Sequence, residues 1–200
     1  MKKYKLLKNE YKEYGELKLY RIQALMDFGN VSKGDKGGYI EKKENLSEDG
    51  NAWVYGYAGV SGNAEVYGYA GVSGNAWVYG YARVYGNAEV YGYARVYGNA
   101  EVYGDAEVSG KARVSGNAEV SGKARVYGDA VIKTTKGCLQ IGPLGENRYI
   151  TITKSDGMVC AGCFRGTLSE FKKAVRKKYP KGTDYNWFFS AVSKYLKSKD

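Results

Sequence analysis

Fourteen six-residue units run without a break from Asn51 to Thr134, each following x-Ala-x-Val-(Tyr/Ser)-Gly. Ile132 replaces Val in the last unit, which ends Lys133-Thr134. No insertion shifts the register. A short fixed period requires one supersecondary unit stacked on itself, and six residues per unit predict a parallel β-helix. In the tripeptide Ala-x-Val the first and third side chains share a face, because strand side chains alternate. Ala52 and Val54 therefore point inward, while Trp53 and Tyr55 point outward. The closing Gly sits where the chain turns a corner, a place that favours dihedrals only Gly adopts freely.

With three units per coil, the 84 repeat residues make about 4⅔ coils. The rod is then on the order of 20–25 Å long at one sheet spacing per coil. Unit n stacks on unit n+3, so the outward columns are readable: Glu65, Arg83, Glu101, Glu119; then Gly59, Trp77, Arg95, Arg113; then Trp53, Gly71, Glu89, Glu107, Arg125. Twelve of the 21 tyrosines fall in the repeats, and from Asn51 to Gly80 the only charge is Glu65. A neutral aromatic surface of this kind suits self-association or partner binding unless residues 1–50 fold back over it. Trp53, Tyr55, Tyr67, Trp77 and Tyr79 are the candidate partner-binding residues of that face.

Three regions follow: an N-terminal β-rich cap (1–50), the hexapeptide β-helix (51–134) and a C-terminal α+β cap (135–200). A solenoid end exposes unpaired backbone and open core, so each end needs a cover. Leu17–Met26 reads as a strand, and Gly34-Asp-Lys-Gly-Gly38 as a turn before Tyr39-Ile40. Beyond the repeats, Arg148–Thr153 alternates like a strand and predicts pairing with Gly157–Phe164 across Ser155-Asp-Gly157. Thr167-Leu-Ser-Glu170 has capping-box form and opens a helix that buries Phe171, Ala174, Val175 and Tyr179. A second helix begins near Asp184 and buries Phe188, Val192, and Tyr195 or Leu196.

The net charge of +10 is unevenly placed: +2 over residues 1–50, zero over the repeats and +8 over residues 135–200. Attraction to an acidic partner therefore falls to the C-terminal cap. Lys172, Lys173, Arg176, Lys177 and Lys178 line its first helix, and phosphate groups of nucleic acid are one ligand such a run can hold by counterion release. A solvated helix face is the other reading. Arg165, Lys181, Lys194, Lys197 and Lys199 extend the patch.

Cys160-Ala-Gly-Cys163 has C-x-x-C spacing and Cys138 is a third thiol. A closed zinc site needs four ligands, and with no histidine the fourth would have to be a carboxylate or come from a second chain. Redox pairs sit at helix starts, whereas this motif falls in a strand. The cysteines read as small buried residues, so no metal and no cofactor are expected. The amino terminus has no apolar run resembling a signal peptide, and no stretch approaches a membrane span. The expectation is a cytoplasmic protein without membrane contact.

The repeats resemble the hexapeptide repeat of left-handed β-helices, which implies that hand and a mainly β fold of three hexads per coil. Such helices commonly belong to acyltransferases with a histidine base, and to zinc enzymes with histidine ligands; this chain has neither the histidines nor the loop often inserted near the acyl donor. Tyr20–Leu25 with Gly37–Glu41, the Asn-Ala-x-Val repeats, Ile141-Gly-Pro-Leu-Gly145 and Cys160–Phe171 together resemble hexapeptide-repeat proteins of phages and prophages of low-GC bacteria. That resemblance implies no catalytic residues. It favours a non-enzymatic accessory protein that binds a host macromolecule, most concretely a defence protein or ribonucleoprotein such as an RNA-guided nuclease. A self-assembling structural component (a homo-oligomer) and an acyltransferase or small-molecule-binding protein are the alternatives.

Overall fold

A computed structural model describes residues 2–134, 138–144, 148–154, 157–161, 164–178 and 186–197. It is mainly β. Three strands come first, β1 (Tyr4–Tyr14), β2 (Leu17–Ala24) and β3 (Lys36–Ile40). Fourteen two-residue strands follow, one per hexad, from β4 (Trp53–Val54) to β17 (Val131–Ile132). They stack in parallel at the n+3 interval: Glu65 pairs with Arg83, Arg83 with Glu101, and Glu101 with Glu119. The other two columns hold the same way, with Trp53 on Gly71 and Gly59 on Trp77. Three walls enclose a dry core. All fourteen Val/Ile side chains and every repeat alanine except Ala124 are at most 3% exposed.

The corners explain the Gly that closes every unit but the last. Gly86 has φ +70°, and a Cβ there would stand 2.9 Å from the backbone nitrogen of Gly104 on the next coil. Both the conformation and the close approach of coils exclude a side chain.

Coil geometry starts upstream of the repeats. Tyr39-Ile40 of β3 stacks in parallel on Gly59-Val60, and Leu46 bridges Val66. The offset there is 20 residues rather than 18, so this first coil carries two extra residues. Asn45 stands where a strand amide pattern lapses, and its side-chain amide donates to the carbonyls of Gly62 (3.1 Å) and Ala64 (2.8 Å). On the far side of β3, β2 and then β1 pair antiparallel, extending one solenoid wall into an eight-stranded sheet. β1 lies outside the strands read from sequence. Its lysine-rich composition suits an edge strand, where charge and the bulge between Leu7 and Tyr11 discourage further pairing.

The C-terminal unit is an antiparallel meander, β18 (Cys138–Leu144), β19 (Arg148–Thr153), β20 (Met158–Ala161) and β21 (Phe164–Thr167). The stretch Gly157–Phe164, expected as one strand, turns back on itself, with Ala161 opposite Phe164. One face of the meander covers the last coil: the Thr151 hydroxyl donates to the Arg125 carbonyl (2.7 Å), and the Tyr127 hydroxyl to that of Cys160 (3.2 Å). The other face, Ile150, Ile152 and Val159, packs on Phe171, Phe188 and Val192. These come from α1 (Leu168–Lys178) and α2 (Asn186–Lys197). The capping box forms as its spacing requires: the Thr167 amide donates to the Glu170 carboxylate (2.7 Å), and the Glu170 amide to the Thr167 hydroxyl (3.3 Å). No helix among the described residues is long and apolar enough to cross a membrane.

Candidate interaction surfaces

The five aromatic residues expected on one face divide among different environments. Trp53 points out of its wall yet is only 1% exposed. The N-terminal cap folds over it: Tyr4 and Phe28 meet its rings edge-on at 6.1 and 5.3 Å between centroids. Gly37 admits the indole, since a Cβ there would lie 2.7 Å from its Cζ2. Trp53 is outward as expected but not accessible, so it is not a partner-binding residue; of the two alternatives for this face, covering by residues of the N-terminal cap holds at Trp53.

Trp77 is half-buried. The hairpin between β1 and β2 curls over its wall, placing Tyr14 at 4.9 Å between ring centroids. Its indole crosses Gly59, where a Cβ would approach Nε1 to 2.8 Å, and that buried Nε1 has no hydrogen-bond partner. Beside it, Leu17, Ser61, Tyr79 and Arg95 complete a shallow cavity of about 320 Å³.

Five of the tyrosines that precede a corner Gly stack along the rod. Tyr67, Tyr85 and Tyr103 form one ladder at 4.8 and 5.0 Å, their planes within 6° of parallel. Tyr79 and Tyr97 form a second at 4.9 Å. The sheet spacing dictates this, because identical side chains on consecutive rungs are held about 4.8 Å apart. Tyr85 also donates to the Glu101 carboxylate at 2.9 Å, and Tyr91 to Glu107 at 3.2 Å. Burial, then the bond to Glu101, push the Tyr85 phenol up to about 12. Burial raises Tyr55, Tyr67 and Tyr79 too, so all four stay neutral at ordinary pH. Tyr55 is 38% exposed and reaches across Gly71.

Among the described residues the most exposed aromatics are others: Tyr57, Tyr69, Tyr81 and Tyr93, at 64–65%. Each occupies the first position of its hexad, just past the corner Gly, and projects from a turn. That position is legible in the repeat: with strands at the third and fourth residues of each hexad, the first falls in the turn.

The basic residues converge more closely than the aromatic ones. Lys173, Arg176, Lys177 and Lys178 of α1 are exposed, while Lys172 is half-buried with its ammonium 5.3 Å from the Phe189 ring centroid. Lys172 and Arg176 face Lys194 and Lys197 of α2 across a groove of about 360 Å³. Sequence reading placed the α2 lysines only as an extension of the patch; two-helix packing makes them the second wall. Cys160 is buried against the last coil, and Cys163 and the Cys138 side chain lie outside the described residues. Among the described residues no group of three or more potential metal ligands assembles.

These features define a parallel β-solenoid repeat protein with folded caps at both ends. A family model described as the YdcK β-solenoid repeat matches residues 82–98 and 112–128. The chain is also 37% identical over 62 residues to a protein of Escherichia coli (strain K12) named "Uncharacterized acetyltransferase YdcK". That match covers 28% of this chain and 19% of the relative. The family match falls wholly on solenoid hexads, the part of the chain whose sequence is dictated by its geometry.

Proposed function

We propose that this protein is a non-enzymatic binding protein that engages a host macromolecule through the corners of its solenoid. The observation that carries the reading is the set Tyr57, Tyr69, Tyr81 and Tyr93, each largely in solvent on a backbone locked by coil-to-coil hydrogen bonds. Tyrosine supplies large amphipathic contact area at low entropic cost, which suits it to anchor a partner. The resemblance to phage and prophage proteins supports a partner from the host, and inhibition of a defence system such as an RNA-guided nuclease is the most concrete form. Affinity capture from host lysate, with and without nuclease, tests this. One defined partner, lost with Tyr57→Ala and Tyr93→Ala, supports the reading; capture unchanged by the tyrosine variants overturns it. Self-association alone would favour the structural alternative.

A second reading rests on the 37% match to a protein named as an acetyltransferase. With no histidine in the 200 residues, another group would have to act as base. Calorimetric titration with acetyl-CoA, and acetyl transfer to a panel of amines and hydroxyls, separates the two. Turnover that survives removal of the corner tyrosines would establish the enzyme reading.

A further inference from the structure

The groove between α1 and α2 gathers positive charge, and no carboxylate of the described residues lines it. Lys172 and Arg176 stand one turn apart on one side, and Lys194 and Lys197, with Ser190 and Ser193 of the same helix, line the other. The sole carboxylate of the two helices, Glu170, is held by its own capping box at the start of α1. The helix dipole accounts for cations in a helix's last turn. It does not account for cations of two helices meeting in one concavity, where like charges repel.

We propose that this groove binds the phosphodiester backbone of single-stranded nucleic acid. Its chemistry is that of phosphate: point charges from lysine, a fork from Arg176 and hydroxyl donors from two serines. Ser190 to Lys197 spans about 10 Å of helix, room for about three phosphates at stacked single-strand spacing. One backbone strand is enough to occupy a groove of about 360 Å³. Phe189, only 6% exposed and covered by Lys172, offers no platform for a base. Binding is therefore phosphate-directed and indifferent to sequence. This inference goes beyond the corner-tyrosine reading and does not depend on it.

The test is fluorescence anisotropy of the purified full chain with labelled oligothymidylate and oligoadenylate RNA. Both bind with similar affinity, and log K falls with log salt at a slope of roughly −2, about 0.7 per phosphate neutralised. The double variant Lys194→Glu/Lys197→Glu loses at least tenfold in affinity and flattens the slope, with an unchanged thermal midpoint. Lys111→Glu/Lys123→Glu, an equal change of net charge on exposed solenoid positions, changes binding less than threefold. Lys172→Met, which keeps the apolar stem over Phe189, weakens binding without unfolding the cap. No salt-dependent binding, or equal loss from both double variants, overturns the proposal. Binding of polyglutamate in place of either oligonucleotide also overturns it and assigns the groove to an acidic protein segment. The assay contains no host partner, so its failure leaves the tyrosine reading standing, and failure of lysate capture leaves this one standing.

Discussion

Lys3 closes the open end of the rod with its ammonium. It is 2% exposed and donates to the carbonyls of Ala52 (3.1 Å), Gly50 (3.4 Å) and Asp49 (3.5 Å), which have no coil beyond them. Burial lowers its pKa to about 8, against partial compensation from Glu48 and Asp49. The folded value lies below the ordinary 10.5, so the unfolded chain keeps this proton to higher pH. Stability from Lys3 therefore rises between about pH 8 and 10.5, and is constant at its lower level below that window. Tyr85 acts in the opposite sense. Its folded value near 12 exceeds the ordinary 10.0, so its contribution falls as pH climbs between the two. Urea melts from pH 7 to 12 should show a rise and then a decline. Lys3→Met should shrink the rise, leaving the smaller part due to Lys12, which burial also holds below its ordinary value, and Tyr85→Phe should soften the decline.

The repeated strand is two residues long, too short to hold register alone; its neighbours on adjoining coils do that. The outward columns show how loosely the surface is specified. Glu65, Arg83 and Glu101 alternate in sign, with Arg83 ion-paired to Glu101, but Glu119 then places a like charge beside Glu101. Glu119→Arg should complete the alternation and stabilise the rod by about 0.2–1 kcal/mol, as exposed cross-strand pairs do. Thermal unfolding at low salt should show the gain, and it should shrink in high salt as screening grows. The tyrosine ladders follow the same rule of rungs: wherever the repeat puts Tyr on consecutive coils, the rings stack. Ser73 and Ser109 interrupt the column of Tyr55, Tyr91 and Tyr127, and there is no stack there.

At the scale of the molecule, Trp53 joins the N-terminal cap to the solenoid. Truncating a buried tryptophan removes its transfer free energy and leaves a cavity, and Trp53→Ala should cost about 3–5 kcal/mol. In a solenoid each coil leans only on its neighbours, so the damage should begin at one end. Hydrogen exchange should quicken first in residues 36–60 and leave the coils near Val126 protected. Loss of protection at both ends together would show that the caps and rod unfold as one unit instead.

The period of six carried a great deal by itself. One small and one aliphatic residue on alternate positions admit only a stacked, dry core, and three units per coil then set which side chains become neighbours. Every outward column followed from that arithmetic, as did the capping box at Thr167, because both depend on local spacing. What lay beyond reach were contacts between distant segments. Trp53 looks identical to an exposed wall residue in the repeat; only the return of Tyr4 and Phe28 over it makes it core. The degenerate coil at Tyr39–Asn45 hides behind a two-residue insertion that breaks the period. The groove exists only because α1 and α2 share a buried face, Phe171 against Phe188 and Phe189, which turns Lys172 toward the distant Lys194 and Lys197. Periodicity is a local property and survives translation into sequence; burial by a remote segment is decided by which surfaces meet, and only the tertiary structure holds that.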